Sequence, residues 1–160
     1  PLVMEIYDYA RAFMRTTGNT TQWIDGYPSE ALIRQEIEEG HSFVCTGEQG
    51  EIFGTFCFIL GEDPTYLQIY EGAWLNDEPY GVIHRLATNG KQKGVSGACL
   101  DWCFERWPNV RVDTHRDNKV MQHILTKYGF QRCGIIYVKN GTERIAYQME
   151  RVTDGTEKLV

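Results

Sequence analysis

Apolar residues recur at helical spacing from the start of the chain. Leu2, Val3, Ile6, Ala10, Phe13 and Met14 predict an amphipathic helix over 1–16, with Pro1 suited to its first turn and Gly18-Asn19 ending it. A polar loop carrying Trp23 and Tyr27 runs to Pro28, and Ser29 then caps a second helix, 30–38, with Leu32, Ile33 and Ile37. From Ser42 the period shortens. A strand over 42–46, a turn at Glu48-Gln49-Gly50 and a strand over 51–60 form a hairpin. The second of these strands is apolar at nearly every position, which predicts cover on both faces. Residues 66–70 are expected as a further strand or its continuation, and 72–79 as irregular chain.

The second half alternates between strand and helix. A strand over 81–87 precedes a helix over 94–107, in which Val95, Ala98, Cys99, Trp102 and Cys103 share a face while Asp101 and Glu105 face water. Pro108 stops it, and a strand over 110–114 follows. Asp117 or Asn118 caps a helix that reaches Tyr128 and ends at Gly129. Strands 131–138 and 144–151 flank Asn140-Gly141, a strong hairpin turn. The strand–helix–strand unit 81–114 requires its two strands to be parallel neighbours. The fold class is α/β (α+β): a mixed, mostly antiparallel sheet with helices on both faces, in one domain over 1–151, with a tail over 152–160.

Composition narrows the function. A length of 160 residues and a hydrophobic share of 42% suit one core. The net charge is −6 and no Lys/Arg cluster occurs, which argues against nucleic acid as a partner. The five cysteines are odd in number and lie in apolar surroundings, so they read as small buried hydrophobes in a reducing, cytoplasmic setting. Cys99 and Cys103 lie one helical turn apart without a matching pair, so no metal site is expected. No membrane span or signal peptide is visible, and the start at Pro1 rather than Met is consistent with residues upstream.

The candidate chemistry centres on Lys91-Gln92-Lys93-Gly94-Val95-Ser96-Gly97, a basic glycine loop between strand and helix. The first N–H groups of a helix lack internal partners and attract anions, and glycines let a ligand approach the backbone. The spacing fits neither a P-loop nor a dinucleotide fingerprint. An ordinary strand-to-helix turn with exposed lysines explains the loop equally well when it is taken alone.

The loop resembles the [Q/R]-x-x-G-x-[G/A] loop of the GNAT superfamily of N-acetyltransferases. Lys91 stands at its first position, Gly94 at its glycine and Ser96 at its last. The run Asn118 to Phe130 resembles the second GNAT signature, N-x-x-A-x-x-x-Y-x-x-x-G-F, with Asn118, Gly129 and Phe130 in register. Together the motifs cover 81–130, and the flanking elements extend the match to most of the chain. The strand that opens the family fold is absent, which fits a chain that begins after it. The resemblance implies acetyl-CoA as co-substrate and a small-molecule or peptide amine as acceptor, attacked in a ternary complex; the family includes homodimers. Leu86, Ala87 and Thr88 would offer a strand edge to pantetheine. Lys91, Gln92, Lys93, Gly94, Val95 and Ser96 would hold the pyrophosphate, mostly through N–H groups. Asn118 would bind pantetheine or cap its helix.

Leu125 falls where the family often has a proton-donating tyrosine, and Tyr128, three residues on, reads as packing. For the base, His84 and Glu71 are the candidates, each with a bland alternative as a hydrogen-bonded histidine and a solvated loop acid. Simple alternation puts His84 beside Val82 and Leu86, with Arg85 on the opposite face. His115 is weaker, and His41 and His123 read as surface residues. The rival function is a non-catalytic acyl-CoA-binding or regulatory domain.

Overall fold

Six strands form one sheet in the order β1-β2-β3-β4-β6-β5, where β1 is Ser42–Thr46, β2 Ile52–Leu60, β3 Gly81–Thr88, β4 Asn109–Thr114, β5 Gln131–Tyr137 and β6 Glu143–Glu150. This computed structural model describes residues 2–20, 22–24 and 26–151. Helices α1 (Leu2–Thr16) and α2 (Glu30–Glu38) precede the sheet, α3 (Val95–Arg106) links β3 to β4, and α4 (Lys119–Tyr128) links β4 to β5. Pro1 and the expected tail over 152–160 lie outside the described residues.

Local chemistry sets the ends of these elements. Ser29 Oγ accepts the Leu32 N–H at 3.1 Å to start α2. Asn118, not Asp117, starts α4, its Oδ1 accepting the Met121 N–H at 3.0 Å. Gly129, with φ 127, ends that helix, and the Phe130 N–H folds back to Leu125 O. At the Asn140-Gly141 hairpin the Thr142 N–H donates to Asn140 Oδ1.

Two faces of the sheet are covered. On one, Phe56, Phe58, Ile83, Val110 and Val112 pack under α3 and α4. The buried stripe of α3 is Val95, Cys99, Leu100, Cys103 and Phe104, whereas Ala98 is exposed, so the stripe is rotated from the expected face towards Leu100 and Phe104. On the other, Ile6, Tyr7, Ala10 and Met14 of α1 meet Ile33 and Ala87, and Tyr66 packs with Val82, Ile136 and Ala146. The central part of β2 is buried from Gly54 to Phe58, with cover on both sides.

The expected strand at 66–70 does not form. A 3-10 turn occupies Pro64–Tyr66, and Tyr70 makes an isolated bridge to Ile135. Asp63 starts this turn through its carboxylate, a local bond that competes with strand pairing. The irregular stretch after it is held by side chains instead. Gln148, fully buried, donates to Asn109 Oδ1 at 2.8 Å and to Asn76 Oδ1 at 3.2 Å, and its Oε1 accepts the Leu75 N–H at 2.9 Å. Nearby, the Arg111 guanidinium sits between the rings of Trp74 and Tyr80, 4.1 and 4.0 Å from their centres.

β3 and β4 are the one parallel pair, as the strand–helix–strand unit requires, and they pair only at Gly81↔Val110 and Val82↔Arg111. Beyond Val82 the strands run on without pairing, which opens a notch in the middle of the sheet.

Replacing Gln148 by Leu keeps the volume but strands the Leu75 N–H and Asn109 Oδ1. The expected loss is about 2–4 kcal/mol, read from chemical denaturation. A loss below about 0.5 kcal/mol would show that the network does not hold the 72–79 segment.

Candidate active site

The notch opens because β3 is kinked. Between Thr55↔Ala87 and Cys57↔His84, β2 advances by two residues while β3 advances by three, so β3 carries a bulge. Arg85 takes it up with φ 53, a left-handed conformation that costs a non-glycine residue about 1–2 kcal/mol. Its guanidinium is held by Glu36 of α2 and donates to the Tyr27 hydroxyl at 2.8 Å. The bulge shifts the alternation by one. Leu86 therefore joins Ile83 in the α3-facing core, while Val82 and Ala87 belong to clusters on the other side. The expected grouping of His84 with Leu86, and of Arg85 opposite His84, is thereby corrected. Arg85 and His84 line the same cavity.

That cavity has a volume of about 640 Å³. Trp23, Tyr27 and Glu36 form its α1–α2 side, and His84, Arg85, Leu86, Asp113, Thr114 and Asn118 form its notch side. His84 Nε2 lies 3.4 Å from Asp63 Oδ2. Burial alone would raise the Asp63 carboxyl, but hydrogen bonds from His84 and from the Thr65 hydroxyl and N–H outweigh it and hold the group below the usual carboxylate range. Asp113 behaves oppositely. Burial pushes its carboxyl up, against the Tyr66 hydroxyl that donates to it at 2.6 Å and the nearby His84 and Arg144. His115 is pushed down by burial; its Nδ1 accepts the Asp117 N–H at 3.0 Å, so it supports the turn before α4.

A second cavity, about 530 Å³, lies on the α3 side of the same strand end. Thr88, Gln92, Gly94, Val95, Ser96 and Gly97 form one wall, and His123, Ile124, Lys127 and Tyr128 of α4 form the other. Gly94, at φ 78, starts α3 with no side-chain cap, so the N–H groups of Val95, Ser96 and Gly97 remain for a ligand. Gly97 has no heavy atom within 4 Å of where a Cβ would stand. The loop is pinned from below: Asn89 Nδ2 donates to Ile52 O and its Oδ1 accepts the Lys91 N–H, both at 3.0 Å. The cavities share their walls. β3 gives Leu86 to the first and Thr88 to the second, and α4 gives Met121 to the first and Ile124 to the second.

Of the residues expected to meet the co-substrate, Thr88, Gln92, Gly94, Val95 and Ser96 gather at the second cavity, and Leu86 and Asn118 at the first. Lys91 and Lys93 are exposed on the loop, and the Ala87 side chain packs with α1. Asn118 spends its carbonyl on the α4 cap and its amide on Gln22 Oε1 at 3.2 Å. Glu71 is not brought to His84. It lies between Tyr70 and Ala73, which hydrogen-bond to β5 at Ile135 and Cys133, three strands from β3. At about 4.8 Å per strand that is roughly 14 Å, too far for shared proton transfer. Its variable loop is tied to the far edge of the sheet. The carboxylate that does stand beside His84 is Asp63, which the sequence did not single out, although the Asp-x-Thr signal at Asp63-Pro64-Thr65 marks its turn.

Leu125 is fully buried, so the helix offers no proton donor there. Tyr128 lines the second cavity, yet its hydroxyl donates to Asp101 at 2.5 Å and its ring stacks on Phe104. Burial and then the Asp101 bond hold that phenol well above its ordinary value. Trp23 and Tyr27 reach the first cavity, whereas Trp74 and Tyr80 flank Arg111. None of the five cysteines, all free thiols, lines either cavity. Burial pushes Cys57, Cys99 and Cys103 up to about 12. Among the described residues no group of three His, Cys, Asp or Glu is arranged to hold a metal ion, and no helix is long and apolar enough to cross a membrane.

The fold that carries this opened sheet is similar to known structures. A GNAT-family acetyltransferase from Streptococcus agalactiae superposes with a TM-score of 0.85 at 34% identity, over 94% of this chain and 89% of that one. A GNAT-family acetyltransferase from Listeria monocytogenes gives 0.64 at 22% identity, over 92% and 88%. A Bacillus subtilis acetyltransferase solved in complex with CoA gives 0.58 at 13% identity, over 93% of each chain. The last two show the fold alone. No family model matches the chain, and no curated protein matches it in sequence. The first of these similarities spans nearly all of both chains, and the chain belongs to the GNAT family of acetyltransferases. It is accordingly an acyltransferase that works by acetyl transfer.

Asn89→Ala should unpin the loop at the start of α3. The expected cost is about 1–2 kcal/mol in denaturant melts, with faster amide exchange over 89–97; unchanged exchange would mean that the pin does not order the loop.

Proposed function

We propose that this chain transfers an acetyl group from acetyl-CoA to an amine in a ternary complex, with the co-substrate lying along the second cavity and the amine entering through the first. The observation that carries this reading is the common wall: the end of β3 and the face of α4 border both cavities, so a molecule in each can meet at the notch. The fit to CoA rests on this chain's own groups. The free N–H groups at the start of α3 suit a pyrophosphate, Lys127 adds positive charge, and Gly94 and Gly97 leave the backbone open. Lys91 and Lys93 are exposed beside this site and add to its field.

In this reading the unpaired edge of β3 over Leu86, Ala87 and Thr88 holds the pantetheine arm, and the backbone N–H near Leu86 stabilises the oxyanion. Asn118 orients α4 beside the thioester. His84 takes the proton of the attacking amine. The amine nitrogen bonds to the acyl carbon, the C–S bond breaks, and its electron pair leaves on the CoA sulfur. Direct attack is favoured over an acyl-enzyme because no cysteine lines either cavity. The acceptor is a small-molecule or peptide amine with an apolar portion, which Trp23, Ile24 and Leu32 would contact. The five free thiols suit a reducing compartment such as the cytoplasm.

The test is the melting temperature with acetyl-CoA, with free CoA, and with ATP as control. At about 100 times Kd, either CoA species should add roughly 2.7 kcal/mol of stability, and ATP should add none. Gly97→Leu fills open space without a neighbour to displace. It should fold as the parent does, lose that shift, and raise the acetyl-CoA Kd by about 100-fold or more. A variant that still binds acetyl-CoA like the parent would move the pyrophosphate elsewhere.

A further inference from the structure

The turn after β2 delivers one carboxylate to His84 and then locks it. Asp63 Oδ1 accepts the Thr65 N–H at 2.9 Å and the Thr65 hydroxyl at 2.7 Å, which leaves Oδ2 for the imidazole 3.4 Å away. The Asp63 N–H in turn donates to the Tyr80 hydroxyl at 3.0 Å. Thr65 gives Oδ1 two bonds, one more than an N-cap needs, and the Tyr80 contact anchors the Asp63 backbone beside them. They hold the carboxylate in one orientation, with a single oxygen turned to the base.

We propose that Asp63 is the positioning residue of the transfer reaction: it accepts the Nε2–H of His84, fixes that tautomer, and leaves Nδ1 to take the proton of the attacking amine. This rests on the reading of His84 as the base. As the amine nitrogen bonds to the acyl carbon, its proton passes to Nδ1 and the ring becomes an imidazolium whose charge faces Asp63 Oδ2. The C–S bond breaks with its electrons on sulfur, and the proton on Nδ1 then leaves to water. Asp63 keeps its charge throughout, as an orienting carboxylate does in a Ser-His-Asp triad.

Other groups around the ring do not replace it. Asp113, from β4, is buried and committed to the Tyr66 hydroxyl. Arg85, next in the chain, is paired with Glu36 of α2. Arg144 of β6 and Lys139 of the β5–β6 hairpin add positive charge to the same cavity. Cys57 lies opposite His84 on β2, and Tyr7 of α1 stands near it; burial keeps both protonated, each pushed up to about 12. Asp63 is held below the usual carboxylate range and is the carboxylate that faces the His84 ring.

Asp63→Asn separates this role from a structural one, because an asparagine oxygen still caps the Thr65 N–H. The variant should fold and bind acetyl-CoA within about twofold of the parent, while kcat falls about 10-fold or more. Replacing the anion by an amide removes the attraction for an imidazolium. The acid limb of the kcat/KM profile should therefore move to lower pH. His84→Gln should abolish that limb and lower kcat by about 100-fold or more. A limb that stays in place in Asp63→Asn, or persists in His84→Gln, overturns the proposal even where kcat falls. Should Asp63→Asn fail to fold, the His84→Gln profile and a Thr65→Val variant, expected to lower kcat with KM for acetyl-CoA unchanged, decide it. A parent protein that shows no melting shift with CoA sinks the underlying acetyl-transfer reading and the proposal with it, a result distinct from a fixed pH limb.

Discussion

The left-handed turn of Arg85 within β3 is the constraint on which the site depends. A strand in regular alternation would have kept pairing with β4, and the sheet would have had no opening. Instead the ladder stops after Val82↔Arg111, and the following residues of β3 present one unpaired edge. The conformation is unfavourable for arginine by about 1–2 kcal/mol. It persists because the side chain is tied by Glu36 and by the Tyr27 hydroxyl, contacts that only α2 and the loop before it can supply. The helical layer thus keeps the sheet open. This is local strain maintained by surrounding structure at a place where chemistry needs an irregular backbone.

The same bulge explains which parts of the site were legible in the sequence. Nearly every helix and strand follows from periodicity, caps and turns, because those signals are local: Ser29, Asn118, Gly129 and Asn140-Gly141 act within a few residues of themselves. The side of the sheet on which Leu86 falls does not follow, since alternation assumes a register that one left-handed residue breaks. Nothing in the string His84-Arg85-Leu86 marks Arg85 as that residue, because its support comes from Glu36 and Tyr27, far away in the chain. The position of Glu71 was hidden for a related reason. The segment before β3 was expected only as irregular chain, and its path is fixed by Gln148, Asn109 and Asn76, side-chain bonds without periodicity. That path carries Glu71 to β5 and leaves Asp63, at the start of the same segment, beside His84.

Electrostatics in the first cavity are likewise local. The net charge of −6 says little about it, because the acids in the wall have local neighbours: Glu36 is paired with Arg85, Asp63 stands against the His84 imidazole, and Arg144 and Lys139 line the same cavity. Asp113 is withdrawn under the Tyr66 hydroxyl. An isolated charge would be costly to bury, whereas paired ones form a wall that is polar without a large net field. A ligand at such a wall would meet the positions of individual donors and acceptors rather than bulk charge.

The two cavities are built from different materials, and this explains why one announces itself as a motif and the other does not. The α3 side uses backbone N–H groups, which every residue has, so its demand on sequence is for residues that keep out of the way. Gly94 and Gly97 meet that demand, and Lys91 and Ser96 can depart from the usual pattern without closing the site. The α1–α2 side uses side chains from many separate elements, among them Glu36 of α2, Asp63 of the turn after β2, His84 of β3, Asp113 of β4 and Arg144 of β6. No spacing rule links them, because the fold and not the chain brings them together. A backbone-built site can therefore be written in a short stretch of sequence, whereas a side-chain-built one cannot. The kink at Arg85 sits between the two: it offers the backbone edge to one ligand and, through its neighbour His84, a side chain to the other.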